Sequence, residues 1–581
     1  MVSKENIQTS LYRKLAPEWL QSYKRAYLQG DMSAGLIVTI MLIPQSLAYA
    51  LLAGLPPQIG LYASILPLLA YAVFGTSMTL AVGPVAVASL MTATALAPLA
   101  TSGSAEYTFL AMQLAMFTGV IYLLCGIFRL GFLSHLLSHP VINGFITGSA
   151  ILIAVGQLKG ILGVSIPNGS VVDTLTNIYT SRQHINYPTL YIGLASIAFL
   201  FYARTGLAHL LSKFGIPKEQ AGLLTKLAPM VVVIVSTMLV AQHDFASKLG
   251  VKIVGSIPEG VPNLSYTFPT FAQSKSLLMP ALLIFIVGFI ESVSVAQSLA
   301  LKKQQKIKPN KELYGLGAAN VASAFSGGYV VVGGFARSVV NYAAGANTPF
   351  ASVLSAILMT LVLFGFTGYF YFLPHAVLSA TIIVAVLGMV DFNTVSHTWK
   401  YSRADALSLL GTTLTVIIIG VEPGILVGVS ISILTYLWNA SNPHIAIVGR
   451  VEGTEHFRNI ERYHVQTAPN IVFIRIDENL FFGNIQAVEE TVHTILQQRP
   501  EVKNVVLLGA AINSIDSTAL EVLCTLNTQI KGMRKKLHLA EIKGPVMDRL
   551  KNSDLISNLT GSTYLHAYEA FECLADKRTI I

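Results

Sequence analysis

Charge is scarce in this chain. Asp, Glu, Lys and Arg make up 12% of its 581 residues, about half the roughly 25% of a globular protein. Hydrophobic residues reach 53% and the mean hydropathy is +0.61. These values exclude an ordinary soluble enzyme, a disordered chain and a nucleic-acid binder. Cysteine is nearly missing too. Cys125, Cys524 and Cys573 have neither metal-ligand nor C-x-x-C spacing, so free thiols are expected and a disulfide framework is excluded. The amino terminus has no short apolar stretch ending in a small-residue cleavage site, so the first long apolar run reads as a permanent span. His184, His243, His375 and the later histidines form no i, i+4 metal pair. No metal, no cofactor and no nucleophile–base constellation is expected, and enzymatic activity is the least supported class.

The few charges are unevenly placed. Residues 1–31 hold 5 Lys/Arg and 3 Asp/Glu, residues 32–441 hold 18 and 10, and residues 442–581 hold 15 and 16. This pattern reads as an N-terminal arm (1–31), a transmembrane transport domain (32–441) and a soluble C-terminal domain (442–581). The net charge of +9 belongs to the first two segments, so the basic balance is a topology signal of membrane loops.

A spanning helix needs about 20 apolar residues. The middle offers fourteen runs, at 32–53, 59–75, 82–100, 108–128, 140–163, 189–203, 222–241, 278–300, 313–328, 334–346, 348–367, 370–390, 404–420 and 422–440. Basic residues cluster in the arm (Arg13, Lys14, Lys24, Arg25), after the sixth run (Arg204, Lys213, Lys218, Lys226) and after the eighth (LKKQQKIKPNK). All three lie on one side when an even number of runs separates them, and fourteen crossings return the tail to the side of the N-terminus, read as cytoplasmic. The short arm and compact loops suit a bacterial inner membrane.

Two short segments interrupt the pattern at matching places, third in each set of seven. LAVGPVAVASLM (80–91) and VVVGGFARSVVN (330–341) each run from an extended Val-containing piece through Gly to a helix start. Paired broken helices in two halves point to a transporter site at the membrane midplane. Because seven is odd, the halves have opposite orientation and the half-helices meet N-terminus to N-terminus. Helix N-termini carry partial positive charge and free N–H groups, so such a site favours an anion. After Asn442 the character changes. HIAIVGRVEGT and NIVFIRIDENLFF read as strands, AVEETVHTILQQRP as an amphipathic helix, VKNVVLLGA as a buried strand and SIDSTALEVLCTLNTQIKGMRKK as a helix, making one α/β domain.

The stretch at 31–77, DMSAGLIVTIMLIPQSLAYALLAGLPPQIGLYASILPLLAYAVFGTS, followed by LAVGPVAV (80–87), resembles the signature of the SulP family of anion transporters. The stretch FIESVSVAQSLA…ELYGLGAANVASAFSGGYVVVGGFARSVVNYAAGA (289–346) resembles its second-half signature. The tail is similar to the sulfate-transporter and anti-sigma-antagonist (STAS) domain. The resemblance implies an α-helical polytopic membrane protein with fourteen segments in a seven-plus-seven inverted repeat. Nucleobase transporters share that fold, in which a core domain moves against a gate domain. It also implies a cytoplasmic STAS domain and a homodimer.

Several residues carry the candidate chemistry. Gln45 and Tyr49 are one helical turn apart on one face of the first span. An amide and a phenol can donate to an anion without a fixed charge; by resemblance both line the substrate pocket, and the alternative is helix-to-helix bonding and packing. Gly83 and Pro84 open the first half-helix, where Val85, Ala86 and Val87 present its first N–H groups. In the second, Gly333 and Gly334 allow close backbone approach before Phe335, Ala336, Arg337 and Ser338. The family often has a hydroxyl residue where Ala336 stands, leaving backbone donors to do more of the binding here. Arg337 is either an anion-attracting charge or the ion-pair partner of Glu291, the acid inside the eighth span. Glu291 is either a coupling carboxylate or that counter-ion. Family members use an acid at this place for a coupling cation. Sodium would ask for an Asp with a hydroxyl one turn on, where this chain has Val295, although Ser292 and Ser294 offer oxygens; a proton is the expected coupling ion. In SIDSTALEVL, Asp516 and Ser517 sit at the place phosphorylated in anti-sigma antagonists, and Asp-Ser also makes a plain helix N-cap.

The expected function is secondary active transport of a small anion (bicarbonate, sulfate or a C4-dicarboxylate) by alternating access, coupled to H+ or Na+. Membrane lipid and a second copy of the chain are its expected partners, with no nucleic acid. A passive anion channel or an exchanger is the alternative. Nucleobase transport would want paired acids or amides in both central spans, and of these only Glu291 is present.

Overall fold

Long apolar runs cut by Gly and Pro fold as helices separated by short breaks, and each of the fourteen expected segments contains one. The structure is a computed structural model that describes residues 17–135, 138–166, 171–258, 260, 270–390 and 392–576. Arg13 and Lys14 lie outside the described residues. The chain divides into two compact units, Met1–Ser432 and Ile433–Ile581.

Leu28–Leu52, Ala105–Ile127, His139–Leu162 and Phe271–Lys302 have 25, 23, 24 and 32 residues. At about 1.5 Å per residue each exceeds the roughly 30 Å hydrocarbon core. The expected third and tenth spans are different. Their helices are Ala86–Leu96 and Phe335–Ala343, with 11 and 9 residues, so each crosses only about half the bilayer. The second span, expected as one run over 59–75, is split into Pro57–Tyr62 and Leu66–Phe74. Pro67 cannot donate to the Ala63 carbonyl, so the helix restarts there.

Packing sorts the spans into two bundles, each drawn from both halves of the chain. In one, Leu28–Leu52 packs on Phe335–Ala343 and Phe350–Gly365, while Ala105–Ile127 packs on Phe271–Lys302 and Pro309–Phe325. In the other, His139–Leu162 packs on His375–Leu387 and Arg403–Ile418, and Tyr187–Tyr202 packs on His375–Leu387 and Ala228–His243. This is the core-and-gate division of the inverted-repeat fold. Two buried carboxylates fix loops of the first bundle. Asp31 accepts from the N–H groups of Asn347 and Thr348 at 2.6 and 3.0 Å and from the Thr348 hydroxyl at 2.7 Å. Glu312 accepts from the Tyr71 hydroxyl at 2.6 Å and from the N–H groups of Thr76 and Ser77 at 2.8 and 3.1 Å. Both are fully satisfied, which marks them as structural.

The second unit builds a six-stranded sheet. Its order from one edge is Phe457–Asn459, Ile445–Arg450, Ile471–Ile476, Asn504–Leu508, Lys536–Ala540, Thr563–Tyr564. Ile445–Arg450 is antiparallel to both neighbours, and the other pairings are parallel. Ile485–Gln498 and Ser517–Gly532 cover one face through Val488, Val492, Leu523 and Leu526. Asp516 is an N-cap: its carboxylate accepts from the Ala519 N–H at 2.7 Å and from the Phe482 N–H at 2.9 Å.

His538, on the strand Lys536–Ala540, is 2% exposed. Its Nδ1 accepts from the Ser562 N–H at 2.9 Å, so its Nε2–H faces Asn504 Oδ1 at 3.2 Å and the ring is neutral. Burial, with Lys536 adding to it, pushes its pKa down from 6.5 to about 4. The neutral ring's contribution to stability is complete above pH 6.5 and is lost as pH falls towards 4, on the order of 3 kcal/mol over that window. Backbone hydrogen exchange at Lys536–Ala540 in the full chain, corrected for intrinsic rate, should therefore accelerate over this range. His538→Gln should remove most of that pH dependence; a flat profile in the native chain would mean the ring carries no such linkage.

Candidate functional site

Extended backbone at mid-membrane depth must find its own hydrogen-bond partners, since lipid offers none. Here two extended pieces serve each other. Val82–Gly83 pairs antiparallel with Val332–Gly333, Val82 opposite Gly333 and Gly83 opposite Val332. Gly334 N–H donates to the Ala81 carbonyl at 3.0 Å. Neighbouring side chains take up the rest: Ser292 Oγ accepts from Gly333 N–H at 2.8 Å, and Ser338 Oγ accepts from Ala81 N–H at 2.9 Å. Asn320 accepts from Val331 N–H at 3.0 Å and donates to the Val331 carbonyl at 2.8 Å, while Asn341 donates to the Thr79 carbonyl at 3.0 Å.

A half-helix leaves this crossing on each strand. Val85 and Gly334 are the N-caps, and no side chain caps either end. The first helical bonds are Ser89 N–H to the Val85 carbonyl at 2.9 Å and Ser338 N–H to the Gly334 carbonyl at 3.0 Å. The N–H groups of Ala86, Val87 and Ala88, and of Phe335, Ala336 and Arg337, thus have no partner within their helices. Two positive dipole ends converge on one place.

Arg337 adds a full charge. Helical side chains lean towards the N-terminus, and the guanidinium lies back over the strand crossing. A Cβ on Gly83 would stand 3.2 Å from its Nη1, and one on Gly334 would stand 3.0 Å from Nη2. Gly83 has φ +153°, so this position needs glycine for both conformation and space. Arg337 is 2% exposed, and neither Nη1 nor Nη2 has a hydrogen-bond partner. A buried cation with unused donors is costly until an anion meets it.

Gln45, Tyr49, Val85, Ala86, Glu291, Phe335, Ala336 and Arg337 line one pocket, completed by Val87, Gly334 and Met389, with about 40 Å³ of water-accessible space. That is room for a few water molecules or one small oxyanion. Pro44, inside Leu28–Leu52 and one residue before Gln45, frees the Ile40 carbonyl. Phe335 is 51% exposed and opens the pocket on one side.

One sequence expectation changes and two alternatives lose support. Ser338 is not in the lining: its hydroxyl donates to the Gly334 carbonyl at 2.7 Å and accepts from Ala81 N–H, so it holds the crossing and not a ligand. No ion pair joins Arg337 to Glu291 among the described residues, since the guanidinium's terminal nitrogens are unpaired. Ser292 is spent on Gly333, and neither Ser292 nor Ser294 lines the pocket. Sequence reasoning missed Met389, which nothing local marks, and Asn320 and Asn341, whose polarity inside apolar runs was a legible signal.

Residues 28–412 match the family model described as the sulfate permease family, and residues 462–570 match the STAS domain. The chain is 34% identical to the chloroplastic sulfate transporter 4.1 of Arabidopsis thaliana over 88% of its own length and 75% of that protein's. It is 32% identical to a probable sulfate transporter of Mycobacterium tuberculosis, covering 93% and 94%. The murine Slc26a9 anion transporter in its inward-facing state shares the fold, with a TM-score of 0.87 at 24% identity and coverage of 97% and 94%.

Gly83→Ala should push the Arg337 guanidinium off the crossing and lower anion uptake roughly tenfold, the size of effect that about 1.4 kcal/mol of strain produces. Gly365→Ala, where an added Cβ meets nothing within 4 Å, is the control. Equal uptake by both variants at equal folded yield would remove Gly83 from the site's geometry.

Proposed function

The chain belongs to the sulfate permease family, and from that footing we propose that it is a secondary active transporter of a small oxyanion, driven by a proton and working by alternating access. The observation that carries this reading is the Arg337 guanidinium, buried with both terminal nitrogens unpaired between two uncapped half-helix N-termini. Backbone N–H groups, one amide, one phenol and one fixed cation can together surround an anion. The small pocket suits sulfate or bicarbonate better than the longer C4-dicarboxylates, and the names of the relatives put sulfate first.

Glu291 shares the pocket with Arg337. A carboxyl that holds a proton when the anion is bound, and releases it on the other side, would couple the two fluxes. With Ser292 engaged elsewhere, the lining supplies too few oxygens for a sodium site, which favours the proton. The pocket draws Met389 from beyond His375–Leu387 of the second bundle and its other residues from the first. Movement of one bundle past the other would expose the site to each side in turn. The N-terminus and the STAS domain are assigned to the cytoplasmic side, and a homodimer is the proposed assembly.

Labelled sulfate and bicarbonate, offered to proteoliposomes with an inward proton gradient, a sodium gradient or neither, should accumulate above equilibrium only with the proton gradient. Equilibration that ignores both gradients would replace this reading with a channel or an exchanger. Arg337→Ala should lower uptake by more than roughly thirtyfold, since a desolvated charge contact is worth 2 kcal/mol or more, with far less effect on folding. Glu291→Gln should abolish gradient dependence while sulfate binding stays measurable; gradient-driven accumulation surviving intact would sink the coupling role.

A further inference from the structure

The second bundle gives the half-helix pocket one wall, and that wall is a single side chain. Of the described lining, only Met389 comes from beyond His375–Leu387, and the other residues belong to the first bundle. Methionine is unbranched, with three rotatable bonds, and this one stands past the end of its helix, where helical bonds no longer fix the chain. Its own N–H still donates to the Val386 carbonyl at 2.9 Å. Other carbonyls of the last turn need partners from elsewhere.

Arg204 supplies such a partner from a different span. Its Nη2 donates to the Gly388 carbonyl at 3.2 Å and its Nη1 to the Val384 carbonyl at 3.4 Å. The rigid fork of the guanidinium thus spans one helical turn and ends on the residue next to Met389. Gly388 makes the approach possible, since a Cβ there would collide with the guanidinium. Arg204 itself stands in a π-helical turn, Ala203–Leu207, inside the helical run Tyr187–Lys213. Such turns are rare and recur at functional sites. A cation near a helix C-terminus offsets the dipole. That general attraction asks neither for a bare Cα at 388 nor for a bond to the residue beside the pocket.

We propose that Arg204 is a positioning residue for the anion site: it holds the Gly388 backbone so that Met389 closes the pocket, and Met389 thereby limits the length of the anion admitted. The inference rests on the reading of that pocket as the anion site. With about 40 Å³ of water-accessible space, withdrawal of one methionine side chain changes which oxyanion fits. Arg204 is not in the lining, so it acts through Met389.

Affinity for labelled sulfate, and its competition by the longer dianion succinate, would be measured on purified full-length protein in four versions: native, Arg204→Gln, Met389→Ala and the two combined. The native chain should ignore succinate. Met389→Ala should let succinate compete and weaken sulfate binding by roughly threefold or more, the lower range for groups in contact. Arg204→Gln and Gly388→Ala should each move both readings the same way, and Arg204→Lys should recover part of the loss. Once Met389 is replaced, Arg204→Gln should add nothing. No shift from Arg204→Gln, a shift equal in both backgrounds, or one that leaves succinate excluded would reduce Arg204 to a structural cap and overturn the proposal. Arg337→Ala separates the two readings. Sulfate affinity that survives it would overturn the pocket as the anion site and this proposal with it, whereas affinity lost there, with additive effects at 204 and 389, would overturn this proposal alone.

Discussion

Backbone polarity in a medium without water is the constraint from which this membrane unit is built. Twelve of the fourteen spans meet it through helical bonds, and the other two could not, since each starts as extended chain halfway across the bilayer. Pairing Val82–Gly83 with Val332–Gly333 is what lets both exist. Ser292, Ser338, Asn320 and Asn341 absorb the groups that two-residue strands leave over. The first N–H groups of the two half-helices have no partner within their helices, and the two helix starts face one pocket.

The buried charges divide by the same criterion. Asp31 and Glu312 are surrounded by donors from their own chain, so their charge is consumed in holding loops at the ends of helices. Arg337 is equally buried and meets no acceptor at its terminal nitrogens. A charge that the fold has already satisfied is structural. One that the fold has desolvated and left open is the charge the proposed anion would meet.

The two units answer to different solvents. In Met1–Ser432 apolar side chains face outward as well as inward, so hydrophobicity does not separate core from surface, and small polar groups specify where helices meet. In the α/β part, from Ile445 on, apolar residues gather beneath the helices, and one buried histidine is kept neutral by a backbone N–H. The same residue type therefore carries different information in each unit.

Much of this was legible along the chain because it rests on local properties. Apolar length located the spans, and the matching Val-Gly breaks at 82–83 and 332–333 revealed the crossing. The i, i+4 spacing of Gln45 and Tyr49 brought both to one pocket wall. Ser338 looked like a ligand-facing residue because it follows a helix start, yet the N–H it accepts lies 257 residues away at Ala81. Ser292 offered a possible oxygen to a cation and serves Gly333 instead. Met389 enters the pocket from the other bundle with no local mark. Period, hydropathy and charge are properties of a segment and can be read from it. The partner of a buried hydroxyl and the entry of Met389 into the pocket depend on which distant segments packing brings face to face, and no segment contains that information alone.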